Sequence, residues 1–139
     1  MRPPEEVLRD LVRDWVEKAD LDYRAAERLL QDEEPLREII AFHCQQAAEK
    51  YLKAFLVRHQ VEFPKTHSVR RLLNLVSGVS LDMAASLQAA AQLTPYGVDV
   101  RYPGDFPHVL PGQEEEAFEL ARRVRETVMS QLGPYLSAG

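Results

Sequence analysis

The stretch FHCQQAAEKYLKAF, residues 42–55, decides which fold we expect for this chain. Its apolar and small residues recur every three or four positions, which is the period of a helix face. Ala47, Ala48 and Ala54 favour a helix and allow neighbouring helices to approach closely. The same stretch also carries several polar and charged side chains. We therefore expect a packing helix with a polar edge, extending over about residues 35–60.

Helical periodicity continues before this stretch. Residues 5–31 predict one long helix, because their apolar positions step by three or four: Leu8, Val12, Trp15, Ala19, Tyr23, Ala26 and Leu30. An acidic run and Pro35 interrupt the pattern, and proline is well tolerated as the first residue of the next helix. Two long antiparallel helices are thus predicted at the N-terminus.

The rest of the chain predicts further helices and one long loop. Shorter helices are expected over about residues 68–77 and 81–94, and a long last helix begins near Gln113 and is stopped by Gly133-Pro134. Residues 95–112 contain four prolines and three glycines, which predict a loop. The prediction is one all-α domain over residues 1–139, an up-and-down bundle of about five helices.

Composition limits the class of protein. The 139 residues suit one domain, and no run approaches the ~20 apolar residues that span a bilayer. The only cysteine, Cys44, excludes an internal disulfide and a zinc site of several cysteines, so we interpret it as a small core residue. A cytoplasmic protein without a membrane segment, metal or cofactor is the simplest interpretation.

Charge is distributed unevenly along the chain. The net charge is −5, yet residues 50–71 contain six lysines and arginines against the single acid Glu62. Such a basic region could receive a phosphate. It could equally pair with acidic helices of the same fold or of a second subunit, and the sequence leaves both possibilities open.

Three groups of polar residues are candidates for a site. On the second helix Gln46, Glu49 and Lys53 share a face, with His43 and Lys50 beside them. That face is either a solvated edge or a partly buried functional surface. The second group, around Lys65 and His67, suits an anion at a helix start, or is an ordinary helix cap.

The third group lies in the predicted loop. Arg101 could clamp a phosphate with two hydrogen bonds, and His108 could transfer a proton near neutral pH. The alternative is that these side chains only anchor the loop.

Four segments, in order, resemble one known family. They are WVEKADLDYRAAERLL at 15–30, FHCQQAAEKYLKAFL at 42–56, PKTHSVRRLL at 64–73 and LTPYGVDVRYPGD at 93–105. Over about Val12 to Leu132 the chain resembles the HEPN family (higher eukaryotes and prokaryotes nucleotide-binding domain). The resemblance implies a helical bundle that pairs into a homodimer. It also implies a partnership with a minimal nucleotidyltransferase in a toxin–antitoxin pair.

The leading function implied by the resemblance is binding of nucleotide or RNA phosphate in a cleft, with no DNA-specific motif. Lys50, Lys53 and Arg101 would hold phosphate, and Tyr102 would stack on a base. The remaining residues expected in this cleft supply hydrogen bonds: His43, Gln46 and His67.

The alternative implied by the resemblance is a metal-independent endoribonuclease. Arg101 would stabilise charge on the scissile phosphate, His108 would be the general acid or base, and Glu49 would orient one of them. The six residues between Arg101 and His108 fit the family's spacing, although the segment YPGDFP excludes a regular helix between them. A third possibility is an interaction module without its own ligand.

Overall fold

The computed structural model describes residues 4–97 and 107–138. Within these ranges every regular element is helical, so the predicted all-α bundle is confirmed. The elements are α1 (Pro4–Leu29), α2 (Arg37–Arg58), α3 (Val69–Ser77), α4 (Leu81–Ser86), a 3₁₀ helix (Gln88–Gly97) and α5 (Gln113–Ser137). In the described part of the chain no helix combines the length and the apolar character needed to cross a bilayer.

The three long helices form the frame of the bundle. Trp15 of α1 lies beside Lys53 of α2. Asp22, further along α1, bonds to His43, which precedes Lys53 on α2. Helices α1 and α2 are therefore antiparallel. At the start of both α2 and α5, Arg37 Nε donates to Glu114 Oε2 at 2.9 Å. Further along both helices, Phe55 of α2 and Thr127 of α5 line one cavity, so α2 and α5 run in the same direction.

Helix α2 is the central element of the bundle. Its side chains are buried on nearly every side, which is typical of a helix surrounded by others. Fully buried residues include Ile40, Cys44, Tyr51 and Leu52. The predicted packing helix is thus present, but part of its expected polar edge lies inside the protein.

Cys44 occupies the core, as predicted from the sequence. It is 0% exposed, and burial raises the pKa of its thiol to about 12. Because the thiolate is the reactive form, we expect Cys44 to be inert towards a thiol reagent in the native protein and to react quickly in guanidinium chloride. The measurement is the rate of modification in both conditions. A native rate similar to that of a free cysteine would contradict this burial.

The fourth predicted helix differs in type from the structure. It is α-helical only to Ser86, and residues 88–97 form a 3₁₀ helix that includes Pro95, so the α-helix expected to residue 94 was wrong. The 3₁₀ helix has three residues per turn, which aligns Ala90, Leu93 and Tyr96 on one edge that packs against the core.

Helix boundaries also differ at two prolines. The second helix begins at Arg37 rather than Pro35. The last helix does not stop at Gly133-Pro134, because α5 continues to Ser137. Two hydrogen bonds from α1 hold the last turn of α5. Arg9 Nε donates to the Tyr135 carbonyl at 3.3 Å, and Arg13 Nη2 donates to the Leu136 carbonyl at 3.2 Å. These bonds offset the one that Pro134 removes.

Candidate functional site

Glu49 lies at the centre of a buried polar network. Its side chain is 4% exposed, and both carboxylate oxygens accept hydrogen bonds. Oε1 accepts from Gln45 Nε2 at 3.1 Å and faces His67 Nδ1 at 2.9 Å. Oε2 accepts from Lys53 Nζ at 2.9 Å. We call Gln45, Glu49, Lys53 and His67 the Glu49 cluster.

Lys53 is enclosed by aromatic rings as well as by Glu49. Its Nζ lies 5.5 Å from the Trp15 ring centroid and 5.7 Å from that of Phe63, within the range of cation–π attraction. The side chain is only 9% exposed. The ammonium charge of Lys53 is therefore compensated inside the protein by the Glu49 carboxylate.

Gln45 connects the cluster to two other segments. Its Nε2 donates to the His67 backbone carbonyl at 2.6 Å, and its Oε1 accepts from Gln46 Nε2 at 2.7 Å. Gly97, at the end of the 3₁₀ helix, lies directly against the Gln45 amide, because a Cβ on Gly97 would come within 2.5 Å of it. The segment before α3 and the end of the 3₁₀ helix thus meet α2 at Gln45.

His67 is the member of the cluster that is open to solvent. Its side chain is 61% exposed, although its Nδ1 faces the buried Glu49 carboxylate. An ionised carboxylate only accepts hydrogen bonds, so Nδ1 carries the hydrogen and donates it. In the neutral ring Nε2 is then the acceptor, a state that suits proton transfer.

His43 and Lys50 belong to a second cluster, centred on Asp22 of α1. His43 Nδ1 lies 2.9 Å from Asp22 Oδ1, and Lys50 Nζ bonds to Asp22 Oδ2. Gln46 lies between the two clusters on the surface of α2. The structure therefore divides the sequence-predicted residues of α2: Lys53 belongs to the Glu49 cluster, Gln46 bonds to that cluster through Gln45, and His43 and Lys50 bond to Asp22.

Sequence reasoning missed two carboxylates of α1, Asp20 and Asp22. Tyr51 is fully buried, and its hydroxyl donates to Asp20. Burial, together with this hydrogen bond, raises the pKa of Tyr51. Arg125 Nε of α5 lies 3.6 Å from Asp20 Oδ1. Both acids lie in the segment ADLDY, next to the apolar stripe of α1. This position beside a buried helix face was the signal in the sequence that could have identified them as partners of polar side chains on α2.

The start of α3 is an ordinary helix cap. Arg71 N donates to Ser68 Oγ and Arg70 N donates to Thr94 Oγ1, each at 3.1 Å. These two N–H groups are therefore occupied by hydroxyls rather than open to an anion. The side chains of Lys65, Arg70 and Arg71 are exposed, and within residues 4–97 and 107–138 none of them forms an ion pair.

Arg101 and Tyr102 lie outside the described residues. His108 is exposed, and its neighbour Val109 lines a cavity with Leu36 and Ile39 at the start of α2. Ile39 precedes Glu49 by ten residues, which corresponds to about 15 Å along a helix. Within one chain, Glu49 thus bonds to His67, and His108 lies near the first turn of α2.

The chemistry offered by this site is hydrogen bonding and proton transfer. Within the described ranges no three histidine, cysteine, aspartate or glutamate side chains are grouped so that they could hold a metal ion. The Glu49 cluster instead combines a buried carboxylate, a compensating ammonium and an exposed imidazole. Such an arrangement can orient His67 towards a bound ligand.

Comparison with known proteins identifies the family. The family model described as HEPN domain matches residues 12–131, which include both clusters and extend from α1 into α5. No curated protein matches the chain significantly, and no solved structure does so. Because the family match covers most of the 139 residues, the chain belongs to the HEPN domain family.

Proposed function

We propose that this protein binds nucleotide or RNA phosphate on the surface around His67 and the start of α3. The observation that carries the proposal is the hydrogen bond between the exposed His67 ring and the buried Glu49 carboxylate. A buried carboxylate that orients an exposed imidazole supports a site for a ligand, since polar side chains at such sites are held by groups behind them. Phosphate accepts hydrogen bonds, and a protonated imidazole donates them.

The exposed cations near His67 supply the charge that phosphate requires. Lys65, Arg70 and Arg71 flank His67 in the sequence and have no acidic partner among the described residues. Lys50 and Lys53 are each paired with a carboxylate, so their contribution to phosphate attraction is smaller than the sequence suggests. We therefore place the main electrostatic attraction at the start of α3.

Arg101 and Tyr102 remain part of the proposal. Arg101 follows Gly97 by four residues, and four residues of chain span at most about 14 Å. Since Gly97 lies against Gln45, we propose that Arg101 joins a phosphate bound at His67. His43 and Gln46 would border the same ligand on the α1 side, and Tyr102 would stack on a base.

We also propose that the protein is a homodimer and pairs with a minimal nucleotidyltransferase. Membership of the HEPN family supports both associations. Apolar side chains also remain exposed near the start of α2, among them Leu36, Ile39 and Leu110. Sedimentation of the purified chain tests the dimer, and co-purification with a nucleotidyltransferase encoded beside it tests the pair. A monomer that does not retain that enzyme would contradict both associations.

The phosphate-binding proposal predicts a specific effect of charge. The double substitution Arg70→Gln and Arg71→Gln should weaken binding of fluorescein-labelled single-stranded RNA. It should also make the slope of log affinity against log salt shallower by about 0.7 for each lost phosphate contact. Fluorescence anisotropy over a series of salt concentrations measures both quantities.

A matched control removes two charges elsewhere. Lys18 and Arg24 are exposed on α1, and changing both to glutamine alters the net charge equally. Equal weakening by the two double variants would indicate a long-range effect of net charge rather than a site. Failure of the unmodified protein to bind either RNA or ATP would overturn the proposed function and leave the interaction module as the alternative.

A further inference from the structure

A second concave site lies at the end of the bundle where α2 and α3 finish. It is a cavity of about 520 Å³ between the last turn of α2, the helix α4 and the second half of α5. His59, at the end of α2, follows Glu49 by ten residues, which corresponds to about 15 Å along a helix. The cavity is therefore separate from the surface around His67.

The inner wall of this cavity is apolar. Phe55 and Met83 line it from the core and are only 2% and 7% exposed, and Val79 closes one side. A small molecule that covers such a wall removes apolar surface from water, which favours binding. The volume also falls within the range of small-molecule sites, roughly 300–1,000 Å³, and sites between helices of a bundle are common.

The outer part of the cavity supplies hydrogen-bond acceptors. Asp82 contributes a carboxylate and Gln131 an amide oxygen. Ser86 Oγ donates its hydrogen to the Met83 carbonyl at 2.8 Å, so towards the cavity this hydroxyl can only accept. A ligand group with several hydrogens to donate suits these acceptors best.

The charge of the lining favours a cation. Asp82 is the charged group among the described residues that line the cavity, and none of those residues is a lysine or an arginine. Asp82 has no basic partner within residues 4–97 and 107–138. The nearby cation Arg58 is directed elsewhere, because its guanidinium lies 4.1 Å from the centroid of the Tyr135 ring.

His59 does not oppose a positive charge at neutral pH. Its ring lies 4.6 Å from that of Phe55, centroid to centroid. Burial, and after it the neighbouring Arg58 guanidinium, lower the pKa of His59 below its ordinary value. The ring is therefore mainly uncharged at pH 7, and it adds aromatic surface to the apolar wall.

We infer that this cavity binds a small organic cation, namely a primary amine carried on an apolar body. The ammonium donates a charge-assisted hydrogen bond to Asp82 and further hydrogen bonds to Ser86 or Gln131. The apolar body covers Phe55 and Met83. This site involves neither phosphate nor nucleic acid, so the inference goes beyond the proposed function and does not depend on it.

The test uses the full chain labelled with [methyl-¹³C]methionine and titrated with 2-phenylethylamine. Met83 lines the cavity, whereas Met129 of α5 is outside its lining and serves as an internal control. Two probes of similar size, neutral 2-phenylethanol and anionic 3-phenylpropionate, lack the ammonium. We expect a saturable shift of the Met83 methyl signal, with a Kd for the amine at least about tenfold lower than for either probe.

Two variants separate the charge from the cavity. Asp82→Asn should weaken amine binding by about tenfold and leave binding of 2-phenylethanol nearly unchanged. Asp14→Asn, at an exposed acid of α1, removes the same charge elsewhere and should bind the amine like the unmodified protein. Ser86→Leu should fill part of the cavity and abolish the Met83 shift for every probe.

Thermal unfolding of each variant distinguishes lost binding from lost folding. Asp82 lies in the first turn of α4, where a carboxylate also favours the helix, so its variant is compared at a temperature at which both proteins are folded.

Other results would overturn the inference. Equal affinity for the amine and for 2-phenylethanol, or equal weakening by Asp82→Asn and Asp14→Asn, would exclude recognition of the ammonium. A Met83 signal that does not shift at millimolar amine, or that shifts only together with Met129, would exclude the site. The RNA titration described above is a separate measurement, so failure of one proposal leaves the other standing.

Discussion

Replacing Glu49 by alanine is expected to lower the free energy of unfolding by about 3–5 kcal/mol, the usual cost of breaking a buried ion pair on one side. The substitution leaves the ammonium of Lys53 buried without its carboxylate. It also removes one of the two acceptors of Gln45 Nε2 and the acceptor of His67 Nδ1. Urea denaturation of the variant and the unmodified protein measures the difference.

Two further variants identify the cause of this loss. If the unpaired charge of Lys53 dominates, Lys53→Met in the Glu49→Ala background should restore part of the stability, because an apolar side chain suits the space between Trp15 and Phe63. Glu126→Ala is the surface control, since Glu126 is 59% exposed in its pair with Arg122 and should cost less than about 1 kcal/mol. A loss at Glu49 no larger than the loss at Glu126 would contradict a buried pair.

Replacing Gly97 by alanine is expected to damage both stability and ligand binding. The added Cβ would lie 2.5 Å from Gln45 Cδ, 2.6 Å from Nε2 and 2.8 Å from Oε1, all too close for contact. Gln45 is 0% exposed and bonded to three neighbours, so its amide cannot move without breaking those bonds. Overpacking of this kind costs about 1–3 kcal/mol.

The effect on function follows from the same displacement. Moving the Gln45 amide releases the His67 carbonyl, so RNA binding by Gly97→Ala should weaken as well. Gly133→Ala is the matched control, because a Cβ at that position meets no atom within 4 Å apart from its chain neighbours and the backbone of its own helix. We expect Gly133→Ala to change the free energy of unfolding by less than about 1 kcal/mol, because the gain from replacing a helical glycine is opposed by Pro134, which disfavours helical backbone at a preceding residue with a Cβ. A Gly97→Ala variant that is as stable as the unmodified protein and binds RNA normally would refute the close contact.

Much of the fold could be predicted from the period of apolar residues. The stripe of α1, from Val12 to Ala26, packs into the core as its spacing indicated, and Cys44 is buried as its chemistry suggested. Four ordered segments also predicted the HEPN family, which the family match confirms. Helix ends were less predictable, because contacts from Arg9 and Arg13 carry α5 past Pro134.

The candidate site was predictable only as a set of residues on one helix. Spacing placed Gln46, Glu49 and Lys53 on a shared face, and the structure retains that proximity. Spacing alone left a solvated edge as the alternative for this face. Burial of Lys53 depends instead on Trp15 and Phe63, which come from α1 and from the segment before α3, and Glu49 is buried beside it.

The sequence by itself determined the three long helices, their apolar faces and the family, because these depend on residue types at short, regular spacing. Tertiary structure decided which polar groups meet. Glu49 orients His67, eighteen residues away, and Asp22 binds Lys50 across twenty-eight residues. Such pairs form only when helices and loops pack at particular distances and angles, and no local pattern in the chain records that geometry.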